Sequence, residues 1–267
     1  MKLGVAYNVF DAEELLEYSI NSIREFVDYI VVVAQEKSNY GNINSNLRQT
    51  LDKLKNKGLI DLIHWYTPVL KYDEKGNLLS ENGYENEQVK RQIGLDLCQN
   101  YGCKIFSSMD CDELYDKKQY ELAKNDFIKG DYDSSFCRMR TYYKSAEYQI
   151  IPLESYYVPL FYKIDKNTKF TFEFVPPYPV EIDPTRRIKA GHSLIYTRDE
   201  IEMYHYSYVR KSIKTKIENS SARNEQKDSH LIINHYNNFN KVTDGGLLLG
   251  KTLVDLIKVE NKFNIEL

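Results

Sequence analysis

Apolar and polar positions fall into blocks over the first 115 residues, and the blocks change period as they go. Leu3–Tyr7 reads as a short strand. Asp11 and Glu14 have the spacing of a capping box, ahead of a helical stripe of Leu16, Ile20, Ile23 and Val27. Tyr29–Ala34 (YIVVVA) is a continuous β-branched run, as a strand buried on both faces requires. Leu47, Leu51 and Leu54 mark a second helix, which Gly58 stops. Leu59–Trp65 is a third strand. The polar stretch from Tyr72 to Glu87 contains Asp73-Glu74-Lys75-Gly76-Asn77 and reads as loop. Val89, Ile93 and Leu97 then recur at every fourth position on a third helix closed by Gly102. The strand Lys104–Met109 runs straight into Asp110-Cys111-Asp112-Glu113.

Such alternation predicts an α/β fold with a mainly parallel central sheet covered by helices. Ligands of these sheets sit beyond the carboxyl ends of the strands. Tyr7-Asn8, Gln35-Glu36 and Asp110-Cys111-Asp112 all fall at such ends, so one cleft can gather them. From Tyr132 to Tyr196 the segments turn strand-like and rich in Tyr, Phe and Thr, broken by Pro152, Pro159, Pro176, Pro177, Pro179 and Pro184. They predict antiparallel additions to the sheet. Helical pattern returns over Arg210–Ala222 and Glu225–Tyr236, followed by a loop at Gly245-Gly246 and a last amphipathic segment. No internal repeat or composition break divides the 267 residues, and one domain is the economical reading.

Charge and composition remove several function classes. Lys and Arg total 36 against 39 Asp and Glu, a net −3 that lacks the basic field of a duplex nucleic-acid binder. Uncharged apolar runs stay far below the roughly 20 residues of a membrane helix, and Asp11, Glu13 and Glu14 interrupt any secretory h-region. Four cysteines without CxxC pairs read as reduced thiols in a cytoplasmic protein. The 23 tyrosines fit either an AT-rich coding sequence or a surface that stacks on sugar rings and bases.

Acid-x-acid is a cheap pattern, expected roughly five or six times by chance in a chain of this acidity. Asp110-x-Asp112 differs in its setting, because the apolar strand IFSSM ends directly on it. Two carboxylates at a strand tip can grip a divalent cation, Mn or Mg, and that cation neutralises a diphosphate leaving group. Arg91, near the start of its helix, has a planar, permanently charged fork suited to a nucleotide, whereas its neighbour Lys90 reads as surface.

The stretch from Glu87-Gln88-Val89-Lys90-Arg91 through Asp110-Cys111-Asp112-Glu113-Leu114-Tyr115 resembles the family 2 glycosyltransferases, in which a basic helix leads to a strand ending in D-x-D-E. The strand, Asn8, acid-capped helix and Val27–Val33 run at the start are similar too. Met203-Tyr204-His205-Tyr206-Ser207-Tyr208-Val209-Arg210 looks like the H-Y-S-Y-V-R block of related bacterial enzymes. Together these blocks frame residues 1–210. The resemblance implies a GT-A-type fold, with residues 1–115 as a nucleotide-binding half, 116–210 as an acceptor half and 211–267 as a helical C-terminal extension. It also implies transfer of a sugar from a UDP- or GDP-sugar to a hydroxyl of a glycan or lipid-linked acceptor, in surface glycan synthesis, with inversion, in the cytoplasm or at the inner face of the membrane. The residues implied for donor binding are Tyr7, Asn8, Glu36, Arg91 and Asp110. His205 would join Asp110 and Asp112 around the metal, and Arg210, Lys211, Lys214 and Lys216 follow it as candidates for the diphosphate or an anionic acceptor. Where many relatives carry V-D-D-x-S, this chain has Val33-Ala34-Gln35-Glu36-Lys37-Ser38, and Glu36 stands in for the acid. An inverting transferase needs a carboxylate base; Glu154, Glu173 and Asp183 are the candidates, and Asp183, fixed by Pro184 and close to Arg186 and Arg187, is chosen. A nucleotidyltransferase and a non-catalytic glycan-binding protein are the alternatives.

Overall fold

The computed structural model describes residues 1–79, 82–220, 229–239, 247–249 and 252–267. In chain order the first half is β1 (Leu3–Val9), α1 (Glu13–Ile23), β2 (Tyr29–Ala34), α2 (Leu47–Asn56), β3 (Leu62–Trp65), α3 (Asn82–Asn100), β4 (Ile105–Asp110), β5 (Glu113–Tyr115) and α4 (Lys117–Lys129). The second half is β6 (Ser134–Tyr143), β7 (Tyr148–Ile151), β8 (Tyr157–Lys163), β9 (Ser193–Ile195), β10 (Glu202–Tyr208), α5 (Ile213–Asn219), α6 (Ser229–Asn238), β11 (Leu247–Leu249) and β12 (Thr252–Lys258).

β3, β2, β1 and β4 lie side by side and parallel, as the alternating pattern predicts. β8 then pairs antiparallel with β4 and with β6, which begins the antiparallel additions. β9 and β10 return parallel to β6, while β7 extends the sheet antiparallel to it. The last amphipathic segment is strand rather than helix: β12 pairs antiparallel with β7 and with β11. Val254 and Leu256 of β12 are buried with Ile232 and Tyr236 of α6, so among the described residues the C-terminal part is two helices plus a sheet edge. The expected helices Arg210–Ala222 and Glu225–Tyr236 correspond to α5 and α6 within the described residues, while residues 221–228 and the expected Gly245-Gly246 loop lie outside them.

Every residue of β1 is buried. Leu3, Val5, Tyr7 and Val9 face α1 and α2, whereas Ala6 packs with Val31, Leu95 and Phe106 on the α3 side. Small residues on that side let α3 approach closely. A Cβ on Gly94 would lie 2.5 Å from that of Ala6.

Two local readings change. No capping box forms: Ala12 precedes α1 in the left-handed region at φ 63, without a side-chain cap. Asp11 and Glu14 instead reach the chain at 210–211. α3 begins at Asn82 rather than after Glu87, and its apolar stripe is not its inner face. Val89 is 45% exposed, while Lys90, Arg91, Leu95 and Cys98 are buried. Polar side chains point inward there because α3 lines a polar cleft. The tyrosines serve mainly the interior. Tyr7, Tyr115, Tyr120, Tyr143, Tyr162 and Tyr206 are fully buried, and Tyr142 stacks on Tyr206 at 4.5 Å.

Candidate active site

The parallel register sets Asn8 beside Asp110 on one flank and beside Val33 on the other. The carboxyl ends of β1, β2 and β4 therefore open together, and a cleft of about 280 Å³ lies beyond them. Asn8, Gln35, Ser38 and Asn39 line it from the strand ends, and Glu87 and Lys90 from α3. Asp110, Cys111, Asp112 and Glu113 come from the β4–β5 turn; Asp183, Arg186, His205, Arg210, Lys216 and Asn219 close it from the second half.

Arginine forks hold each acid of the β4–β5 turn. Asp110 accepts from Arg186 at 2.6 Å and from Arg91 at 3.3 Å. Burial opposes its ionisation, but the two guanidiniums prevail and hold its pKa below the usual carboxylate range. Asp112 accepts from Arg210, with Lys216 Nζ 4.0 Å away. Arg210, His205 and Lys216 likewise outweigh burial and keep the Asp112 pKa low. Glu113 braces the turn by accepting from the Asp110 backbone N–H at 3.0 Å and from Arg186. Cys111 is a buried thiol whose pKa burial raises well above its ordinary value.

Of the expected site residues, Asn8, Asp110, Asp112, Asp183 and His205 meet in the cleft. Tyr7 does not: its ring is fully buried on the opposite face of β1, with its hydroxyl 3.0 Å from Ser19 Oγ. Glu36 points away and forms a two-pronged pair with Arg48, whose guanidinium lies 4.1 Å from the Trp65 ring centre. Its neighbour Gln35 lines the cleft in its place. Arg91 is behind the wall, donating to Asp110, to Ser108 Oγ at 2.8 Å and to Thr185 Oγ1 at 3.2 Å. Lys90 is in the lining, and among the described residues it has no salt-bridge partner. The two neighbours thus exchange the places expected of them. Burial lowers the Lys90 pKa.

Asp183 both turns the chain and faces the cleft. Its Oδ1 accepts from the Thr185 backbone N–H and Oγ1, each at 2.8 Å, at the start of a 3-10 turn over Pro184–Arg186. Thr185 is held in turn by Arg91, so a continuous chain of bonds runs from Asp110 to Asp183. Glu173 is exposed and outside the lining. Glu154 is also outside it; its carbonyl accepts from Arg198. Glu87 and Lys90 were not singled out by sequence as site-lining groups, and Arg186 was named only as a neighbour of Asp183. Of the cations expected to meet the diphosphate, Arg210 and Lys216 line the cleft and Lys211 and Lys214 do not.

His205 Nε2 is 3.8 Å from Asp112 Oδ1, near enough for one cation to touch both. Burial lowers the pKa of the imidazole in spite of Asp112, which favours the neutral, ligating form. No group of three His, Cys, Asp or Glu able to hold a metal occurs among the described residues. A divalent ion bound here would take further ligands from phosphate oxygens, as Mg commonly does. The charge inventory suits such an arrival. Asp11, Glu87, Asp110, Asp112, Glu113 and Asp183 face Lys90, Arg186, Arg210 and Lys216, leaving six carboxylates against four cations before any anionic ligand enters.

No protein-family model and no curated protein matches the chain. Solved structures do. It is similar to S. aureus TarS 1–349 at 13% identity and TM-score 0.47, covering 90% of this chain and 73% of that one. TarS 1–349 in complex with UDP-GlcNAc matches at 16% identity and TM-score 0.36, over 53% of this chain. A mannosyltransferase, PcManGT from Pyrobaculum calidifontis, in complex with GDP-Man and Mn2+, matches at 13% identity and TM-score 0.35, over 52% of this chain and 36% of that one. The chain spans about a third of the length of the first structures it matches (35% and 36%). No helix among the described residues is long and apolar enough to cross a membrane.

Proposed function

We propose that this chain is a glycosyltransferase that takes a nucleotide diphosphate sugar into the cleft and transfers the sugar to an acceptor hydroxyl. The observation that carries the proposal is the Asp110-Cys111-Asp112 turn at the tip of β4, beside Asn8 and faced by Lys90, Arg186, His205, Arg210 and Lys216. Acids and cations converge there at the carboxyl ends of parallel strands, where α/β sheets take their ligands. The acceptor is proposed to be a glycan or lipid-linked hydroxyl in surface glycan synthesis.

Asp112 and His205 would hold a divalent ion, and that ion when bound supplies positive charge to the leaving diphosphate. Lys90 and Lys216 add cationic donors in the same lining. Arg186 and Glu113 fix the turn so that its carboxylates need not reorganise during transfer. Asp183 accepts the acceptor's proton in the proposed inverting route. Its Oδ1 is committed to Thr185, which leaves Oδ2 to receive the proton.

UDP-GlcNAc and GDP-mannose, the sugar nucleotides bound in the structures above, are the first donors to test. Each is incubated with the protein and Mn while released nucleotide is measured. Release of UDP or GDP, slow without acceptor, supports the proposal. Pyrophosphate release would identify a nucleotidyltransferase, and binding of glycan without any release a non-catalytic glycan-binding protein. Anomeric NMR of the product checks inversion.

A further inference from the structure

Three polar atoms at the ends of β1 and β2 lack a hydrogen-bond partner among the described residues. Asn8 is only 9% exposed, and both its Nδ2 and Oδ1 are buried without a partner. Gln35 is 1% exposed, and its Oε1 is in the same position. Both residues line the cleft, with the aromatic ring of Phe10 in the same lining. A buried polar group left unpaired destabilises the fold, so such atoms normally have a partner in a ligand or an ordered water.

Neighbouring bonds fix which atoms are left over. Asn39 Nδ2 donates to the Gly83 carbonyl at 3.5 Å, so Asn39 presents Oδ1 to Gln35. Gln35 Nε2 donates to that oxygen at 3.1 Å, which turns Oε1 as the remaining atom. Flipping the Asn8 amide exchanges its two ends and changes nothing in the count. The vacant set is one donor, Asn8 Nδ2, and two acceptors, Asn8 Oδ1 and Gln35 Oε1.

From this set we infer that Asn8 and Gln35 form the base-binding part of the cleft and are built for guanine, and that the donor is a GDP-sugar. The inference rests on the nucleotide-sugar reading above and narrows it. Guanine presents one acceptor, O6, and two donors, N1–H and the N2 amino group, which is the complement of the vacant set. Uracil presents two acceptors and one donor, so it would leave a buried oxygen unpaired. Adenine and cytosine each present one donor group on that edge and leave the same oxygen unpaired. Discrimination against a base that strands a buried polar group is strong.

The test is calorimetry of the full chain with GDP, IDP, UDP and ADP, each with Mn and again with EDTA. The bidentate Asn8 amide is assigned to guanine O6 and N1–H and Gln35 Oε1 to the N2 amino group; IDP is guanosine diphosphate without that amino group, so it isolates the Gln35 contact. GDP is expected to bind at least about tenfold tighter than UDP and IDP. Gln35→Met keeps size but removes the acceptor, and it should bring GDP and IDP to equal affinity. Tighter binding of UDP than GDP overturns the inference and leaves the glycosyltransferase reading standing. Equal affinity of the unmodified protein for GDP and IDP overturns the role given to Gln35, and the guanine inference with it. Failure of all four nucleotides to bind, with and without Mn, removes the nucleotide-sugar reading itself.

Discussion

At the scale of single residues, Glu87 and Asp183 line one cleft, and the Asp183 charge strengthens what burial does to Glu87. Burial first, then Asp183 and Asp110, push the Glu87 pKa from 4.5 up to about 7, against Arg91 and Lys90. A carboxyl raised in this way stabilises the fold most below pH 4.5, and that contribution is lost as the pH rises to about 7. Glu87→Gln stays neutral throughout. Its melting temperature relative to the unmodified protein should rise between pH 4.5 and 7 and level off above; a difference independent of pH would remove the shift. Asp183→Asn keeps shape but accepts no proton, so kcat should fall about a hundredfold or more while donor KM holds. Near-normal turnover would exclude Asp183 as the base. His205→Ala should weaken Mn-dependent nucleotide binding and leave the metal-free melting temperature unchanged; undiminished Mn dependence would return His205 to a packing role. The D-x-D acids and Asp183 were legible because their placement follows from strand ends and a proline turn. Lys90 and Arg91 were not, since adjacent helical residues point about 100° apart and only packing tells which one faces the cleft.

Elements decide that packing, and α3 is the one whose position matters most to the cleft. It delivers Glu87 and Lys90 to the lining and Arg91 to the turn behind it, all from a helix seated directly on β1. The seat depends on Gly94, where a Cβ would stand 2.5 Å from Ala6 Cβ. Gly94→Ala must lift the helix, and overpacking of this kind costs about 1–3 kcal/mol. Melting should drop by several degrees, and nucleotide affinity should fall with it because the whole wall moves. An unchanged melting curve with full binding would show that α3 has slack. Strands were the easier elements to read. YIVVVA matches β2 residue for residue, because a strand buried on both faces has to be apolar throughout. The inner face of α3 escaped apolar periodicity because Lys90, Arg91 and Glu87 sit where leucines would normally signal burial. The C-terminal hairpin escaped as well: the partner of β12 is β7, about a hundred residues earlier in the chain.

Across the whole molecule, Arg210 ties together segments that the chain order keeps far apart. Its guanidinium reaches Asp11 at 3.3 Å after β1 and Asp112 in the β4–β5 turn, and its Nε donates to the Ser207 carbonyl at 2.8 Å. Tyr236 of α6 donates to the Arg210 carbonyl at 2.7 Å, bringing the C-terminal region into the same node. Removing one partner of a buried ion pair typically costs about 3–5 kcal/mol, since the other charge stays buried and uncompensated. Arg210→Met preserves most of the stem and strands both aspartates, so its melting temperature should fall by well over five degrees. The excess of carboxylates in the cleft gives this variant a second, more telling property. Asp112 would then be free to meet a cation alongside His205, and binding to the folded state alone raises stability by mass action. Mn should therefore restore part of the lost melting temperature in Arg210→Met. Adding Asp112→Asn to that variant removes one of the two stranded charges together with the ligand, so its melting should respond to Mn no more than that of a protein lacking the site. If Mn stabilises the double variant as much as Arg210→Met, the cation binds elsewhere. If it stabilises neither, the Asp112 and His205 pair does not hold a divalent ion, and Lys90, Lys216 and Arg186 would have to bind the diphosphate unaided.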